Sequence, residues 1–330
     1  MVNNKKLHEI LAAGALGDSF GYQVEFDNCD QINHKFSGPI SYYKNPGKIA
    51  SDDTQMTIFM LNSLLESESL CLLNNPDYLN NIEINLLDWY YTQINQKIDS
   101  DLNKYTVLFV RRAPGNTCMR SLMLKDNRED NTNNSNGCGT IMRTAPLIAL
   151  KISDQQLYDL SISAAAITHG DPLGQQACAF YAVLLKNLAQ SHSFDESWKN
   201  ALNIAASSQA LPELLARLDQ VLTLPNNLSG DQLTSILGEG WDSASCLYLA
   251  IYAFKNSSTF AATLELATNH AGDSDSVASI AGQLFAAHHN LSETDWQNYQ
   301  NIDLAPVIDS LIVKLRLKNG HSSSHALVCR

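Results

Sequence analysis

The chain has 330 residues, with 34 acidic against 22 basic side chains and a formal charge of −12. That excess of acid argues against a protein built mainly to hold nucleic acid or an anionic membrane, since both need clustered positive charge. Hydrophobic residues are 45% and charged residues 17%, a globular balance rather than a disordered one, and no apolar run approaches the ~20 residues of a membrane helix.

In chain order the pattern predicts helix after helix. Residues 5–16 place Leu7, Ile10, Leu11 and Ala15 on one stripe at three-to-four spacing. Residues 51–66 do the same with Met56, Phe59, Met60 and Leu64, and 79–94 with Ile82, Leu86, Trp89 and Tyr90. A helix over 114–125 opens on Pro114, a residue tolerated in a first turn. Ser153 and Gln156 form a capping box for 153–167. Asp171-Pro172 starts the next helix, which runs to about residue 187. Further helices are expected over 195–207, 211–222, 231–237, 243–254, 258–268, 275–288 and 303–316. Alternation suited to strands is nearly absent. Residues 36–49 hold Gly38-Pro39 and Pro46-Gly47 and read as a turn-rich loop with room for a short hairpin. Residues 126–136 read as a polar loop and 320–330 as a frayed tail. The expected fold is one all-α domain.

The first residues carry charge too early for the apolar core of a signal peptide. The seven cysteines are odd in number and include no Cys-x-x-Cys pair, so disulfides and zinc knuckles are not expected. A reducing compartment, the cytoplasm, fits best; an effector exported without such a leader would read the same.

Five segments are chemically unusual. Glycines at 14, 17 and 21, followed by Glu25, put small residues on one helical face, where another backbone or a ligand can come close; close helix packing is the favoured reading. Ser51-Asp52-Asp53-Thr54 can cap a helix, but a cap needs only one acid, and adjacent acids repel. Asn136-Gly137-Cys138-Gly139-Thr140-Ile141-Met142-Arg143 leads into what reads as an apolar helix, and such a turn can aim N–H groups at a phosphate. His169, in Thr168-His169-Gly170-Asp171-Pro172, lies at a helix junction. In Asn269-His270-Ala271-Gly272-Asp273-Ser274-Asp275-Ser276, the two acids would point about 200° apart within a continuous helix. They converge only where a loop enters a helix, and there an all-oxygen set suits Mg²⁺ or Mn²⁺. Cys118 and Cys138 are candidate nucleophiles for pairing with His169, although unpaired cysteines are more often buried small hydrophobes.

Taken in order, the segments at 17–21, 51–54, 114–118, 137–146, 168–169, 238–241 and 269–276 resemble the motifs of the ADP-ribosylglycohydrolase family, whose founding members reactivate dinitrogenase reductase. The resemblance covers most of the chain, with a domain over 1–319 and a tail over 320–330. It implies a single orthogonal helical bundle with two divalent cations, Mg²⁺ or Mn²⁺, in a central cleft. Carried over by motif, Ser51, Asp52, Asp53, Asp273, Asp275 and Ser276 are the expected metal ligands. Glu25, Asp52 and Asp53 are the expected catalytic groups. Gly115, Asn116, Gly137, Cys138, Gly139, Met142, His169 and Gly272 are expected around the substrate.

The reaction so implied is hydrolysis at the anomeric carbon of the distal ribose of ADP-ribosylated protein, with arginine as the leading linkage. The alternatives are an ADP-ribosylserine or O-acetyl-ADP-ribose hydrolase, or an inactive ADP-ribose binder. Intact acids at 52, 53, 273 and 275 argue against the last. Thr140 stands where a second glycine is frequent. Asp242-Ser243-Ala244-Ser245 stands where two glutamates are common, which bears on the leaving group. A monomer is expected, with no nucleic-acid or membrane partner.

Overall fold

The computed structural model describes residues 2–67 and 77–322. Fifteen α-helices make up the frame, and among the described residues there is no strand. The first three are α1 (Asn4–Gly21), α2 (Cys29–Phe36) and α3 (Asp52–Glu66). Then come α4 (Asp77–Gln93), α5 (Asn116–Asp126), α6 (Asp154–Ala166), α7 (Pro172–Ala189) and α8 (Phe194–Ser207). The second half holds α9 (Pro212–Thr223), α10 (Gly230–Leu237), α11 (Ser243–Lys255) and α12 (Phe260–Thr268). It closes with α13 (Ser274–His288), α14 (Glu293–Tyr299) and α15 (Ala305–Ser322).

The ends are set locally. Asn3 accepts from Lys6 N at 2.9 Å to start α1, and Ser153 with Gln156 forms the expected box on α6. Asp171, Asp242 and Asp273 cap α7, α11 and α13. Each satisfies backbone donors that a helix leaves open in its first turn.

The core lies around α13, whose residues from Ser274 to Ala287 are all buried. A helix buried on every side must be apolar or small on every side, and α13 is, with Val277, Ala278, Ile280, Ala281, Gly282, Leu284 and Phe285. α1, α7, α11 and α12 pack against it, α1 most extensively among the described pairs.

Four local expectations need correction. No α-helix follows Gly139: residues 138–143 form turns and lead into a 3₁₀ segment, Ala145–Ala149. Pro146 has no N–H to offer a helix continuing from 140, and the Met142 carbonyl is taken by the Thr57 hydroxyl at 3.1 Å. Pro114 lies outside α5, which Gly115 precedes as N-cap. The loop over 36–49 contains turns and no hairpin. α2 and α14 were not anticipated. α15 runs through Ser322, and the rest of the expected tail lies outside the described residues, as do Cys71 and Cys329.

Candidate active site

Two helix starts meet at the head of a cleft of about 340 Å³. Asp52 and Asp53 open α3. Asp273 and Asp275 open α13, with Asp273 as its N-cap, so this segment is indeed a loop entering a helix. Helix starts carry partial positive charge, which favours carboxylates there.

The glycine stripe of α1 brings the two starts together. A Cβ at Gly17 would lie 2.1 Å from the Ala278 carbonyl oxygen, and one at Gly21 2.5 Å from the Asp275 Cα. Close helix packing is therefore what those glycines serve. Asp18, on the same helix and fully buried, reaches α3: its carboxylate accepts from Ser51 N at 2.8 Å, from Thr54 N at 3.0 Å and from the Thr54 hydroxyl. Asp18 thus holds the first turn of α3 in place.

Within the cluster, Asp52 accepts from Gly115 N at 3.3 Å. Asp273 accepts from Ser276 N at 3.3 Å and from the Cys138 thiol at 2.7 Å. The Ser51 hydroxyl accepts from Asp53 N at 3.2 Å, and it is also hydrogen-bonded to Asp275. Three buried carboxylate oxygens that line this cleft have no hydrogen-bond partner among the described residues: Oε2 of Glu25, Oδ2 of Asp53 and Oδ1 of Asp275. Burial pushes Asp18 up to about 7 and Glu25 up to about 10, each aided by the charge of Asp275. Asp52, Asp53 and Asp273 are raised well above the usual carboxylate range by the same two causes, and burial raises Asp275 itself.

Orphaned carboxylate oxygens in a dry site fit a hard divalent cation, which would remove both repulsion and desolvation cost. The donors fit in kind. Among the described residues no three His, Cys, Asp or Glu side chains form a ready coordination shell.

The other wall of the cleft is the glycine loop and α5. Gly137, Cys138, Gly139 and Met142 line it, with Gly115 and Asn116 at the start of α5 and His169 behind. Gly137 pairs with Asp242 in an isolated antiparallel bridge, and Cys138 N donates to the Trp241 carbonyl at 3.0 Å. A Cβ at Gly137 would stand 3.2 Å from His169 Nε2, and one at Gly139 2.6 Å from the Cys118 sulfur. Burial and then the Arg143 charge push His169 down to about 3, so it is neutral. Burial raises the Cys118 thiol to about 11 and the Cys138 thiol well above its usual value. Neither is the thiolate that a nucleophile requires.

Ser276 lines the cleft, whereas Ser51 and Gly272 stand behind it. Gly272 has φ of +120°, and a Cβ there would meet the Glu239 carbonyl at 2.1 Å. Its role is to let the 269–273 turn lie against the loop carrying Trp241. At the rim, Phe26 and Trp241 stack with centroids 5.2 Å apart, both exposed, and Trp241 Nε1 donates to Glu239 at 3.1 Å. Asp18, Phe26 and the support behind His169 were not among the expected site residues. Asp18 stood inside a glycine-rich motif whose spacing favoured packing. A larger cavity of about 530 Å³ near Cys29 offers less chemistry: its Glu265 is engaged by Tyr42 N at 2.8 Å, and its Asn269 by the Ile40 backbone.

The cleft of this all-α bundle thus sets a buried carboxylate cluster opposite a glycine loop. The chain matches the ADP-ribosylglycohydrolase family over residues 3–319 and belongs to it. It hydrolyses ADP-ribose linkages in the sense that defines the family, whose members generally depend on divalent metal. One similar solved structure is titled an ADP-ribosylglycohydrolase-related protein complex. It is 21% identical, covers 94% of this chain and 97% of its own, and has a TM-score of 0.64, a likeness of fold. Among curated proteins none matches the chain. Among the described residues no helix is long and apolar enough to cross a membrane.

Proposed function

We propose that the chain removes ADP-ribose from arginine side chains of proteins, with two divalent cations, Mg²⁺ or Mn²⁺, held by Ser51, Asp52, Asp53, Asp273, Asp275 and Ser276. The observation that carries this is the set of three buried, unpartnered carboxylate oxygens on Glu25, Asp53 and Asp275 beside the glycine loop. Bound there, the cations would compensate the acids and supply Lewis acidity to ribose hydroxyls and water.

The residues of the chain then divide the work. Gly137, Cys138 and Gly139 line the cleft with a loop whose backbone a diphosphate can approach, and the start of α5 at Gly115 and Asn116 adds its positive end. Met142 and His169 close that wall. Asp52 or Asp53 takes the proton of the attacking water. Glu25 lies at the rim beside Phe26, where a carboxyl can give its proton to the departing nitrogen. The remaining carboxylates face the positive charge that develops on the ribose.

The arginine linkage is favoured by the rim. Two exposed, stacked aromatic rings with the Glu239 carboxylate beside them suit a planar guanidinium, which combines face stacking with paired hydrogen bonds. A serine leaving group has no use for either.

The test is release of ADP-ribose from matched ADP-ribosylarginine and ADP-ribosylserine peptides, before chelation, after it, and after adding back Mg²⁺ or Mn²⁺. The arginine peptide is expected to turn over faster by about tenfold or more, with activity lost on chelation and restored by metal. Preference for the serine peptide would overturn the linkage. Full turnover by protein shown to be free of metal would overturn the two-cation reading.

A further inference from the structure

Behind the glycine loop lies a chain of hydrogen bonds that the cation cluster does not use. The Arg143 guanidinium is fully buried and meets no carboxylate among the described residues. Nη2 donates to the Thr168 hydroxyl at 2.8 Å and to the Ala164 carbonyl at 3.2 Å, and Nη1 points to the Cys118 sulfur at 3.8 Å. The Thr168 hydroxyl lies 2.8 Å from His169 Nδ1. The opposite ring nitrogen, Nε2, faces Gly137 and Gly139 in the cleft.

We propose that Arg143 and Thr168 fix His169 in the tautomer that carries its proton on Nε2, so that a neutral imidazole presents one N–H to a diphosphate oxygen. The direction follows from what each group can do. A guanidinium only donates, so Thr168 Oγ1 must accept from Arg143. The hydroxyl then has one hydrogen left. If His169 Nδ1 carried the proton and donated to Thr168, that hydroxyl hydrogen would be buried with no acceptor among the described residues, which is costly. If Thr168 donates to Nδ1, its hydroxyl both accepts and donates, and the ring proton stands on Nε2. The geometry around Nε2 has the same sense: a Cβ on Gly137 would crowd it at 3.2 Å, and the glycine leaves that side of the ring uncovered toward the cleft.

Arg143 has a second effect. Its charge is held close behind the imidazole without an anion of its own. An arriving diphosphate would supply the missing counter-charge through the polarised hydrogen bonds of Thr168 and His169. Arg143 and Thr168 are positioning residues here; only His169 touches the ligand. The identity of that ligand rests on the function proposed above.

The experiment uses the full chain and ADP-ribose as the probe. Imidazole ¹⁵N shifts, assigned to His169 by their loss in His169→Ala, report the tautomer of free wild-type protein. The Nε2–H form is expected; a dominant Nδ1–H form would overturn the proposal regardless of any variant. Thr168→Val keeps the shape and removes the hydroxyl. It is expected to mix the two tautomers and raise the Kd for ADP-ribose by about ten- to a hundredfold. The change in kcat should be much smaller, because a diphosphate contact is the same in ground and transition states. Thr168→Ser should restore both tautomer and affinity. Lost affinity with the tautomer unchanged would mean that Thr168 is merely structural and overturn the relay. A mixed tautomer with unchanged affinity would overturn His169 as the diphosphate donor while leaving ADP-ribosylarginine turnover, and with it the proposed function, untouched.

Discussion

Asp275 is the residue on which the acidic cluster turns. Its charge is the largest electrostatic cause of the raised carboxyls of Asp18, Glu25, Asp52, Asp53 and Asp273. It also leaves one oxygen unpartnered in the core. Asp275→Asn removes that charge at constant volume and turns an amide toward the proposed cations. Metal occupancy is expected to fall and kcat to drop by orders of magnitude, while the metal-free protein melts at a higher temperature because a repelling charge has gone. Were Asp275 only a first-turn acid favourable to the helix dipole by about 0.3–1 kcal/mol, the variant would melt slightly lower and work normally. Melting temperature, metal content and kcat measured on one preparation separate the two. The acids of this cluster could be read from the sequence as residue types in a telling arrangement. Asp18 could not, because a carboxylate that holds a distant helix start looks like any other acid until that helix is seen beside it.

At the scale of elements, the contact of α1 with α13 decides whether there is a site. Gly17 meets the backbone of Ala278 and Gly21 that of Ser274 and Asp275, so added methyl groups have no flexible side chain to displace. Gly17→Ala is expected to cost about 1–3 kcal/mol, as overpacking does, read as a lower urea midpoint at unchanged slope. Gly21→Ala pushes directly on the start of α13 and should abolish calorimetric metal binding under conditions where the fold persists. Gly115→Ala is the contrast: nothing lies within 4 Å of its added Cβ, and the midpoint should stay put. An unchanged midpoint for Gly17→Ala would mean that the helices part easily and that the stripe does not hold the site together. Most helices were legible from periodicity and caps. The two that were missed, α2 and α14, are 8 and 7 residues long and carry too few apolar side chains to mark a stripe, whereas α10, also 8 residues, has Leu233, Ile236 and Leu237. Their capping pairs, Asn28 with Gln31 and Ser292 with Asp295, were the readable signal.

For the whole molecule, the buried acids set how stability varies with pH. A carboxyl whose folded pKa is raised holds its proton after the unfolded chain has released it, so its contribution is lost as pH rises. The loss begins in the ordinary carboxylate range and runs up to about pH 7 for Asp18 and about pH 10 for Glu25. Histidines held neutral by burial, His169 and His270, act in the opposite sense, and their effect is confined to pH below about 6.5, where the unfolded chain gains their protons. From about pH 6.5 to about pH 8.5 the acids therefore act without that opposition. Chelated protein should lose about 1.4 kcal/mol per pH unit for each carboxyl still protonated in the fold. Saturating Mg²⁺ or Mn²⁺ should raise the melting temperature and flatten the slope. Chelated protein that grows more stable over this range would show that the acids are not packed as described.

The sequence by itself determined the kind of protein this is: an all-α chain, the order of most of its helices, and two acidic helix starts with oxygen ligands suited to a hard cation. Those features follow from periodicity, caps and residue chemistry, which depend on neighbours a few positions away. The resemblance implied that Asp52 and Asp273, more than two hundred residues apart, share one cleft, and spacing favoured a packing stripe at Gly14, Gly17 and Gly21; the tertiary structure shows which backbones meet there. It also decided that the loop after Gly139 turns instead of forming a helix, and that Arg143 and Thr168 stand behind His169. Each of these depends on which backbone lies against which, and no local pattern encodes that. Burial then does the rest, since the same carboxyls and imidazole would titrate ordinarily in water and do not in this core.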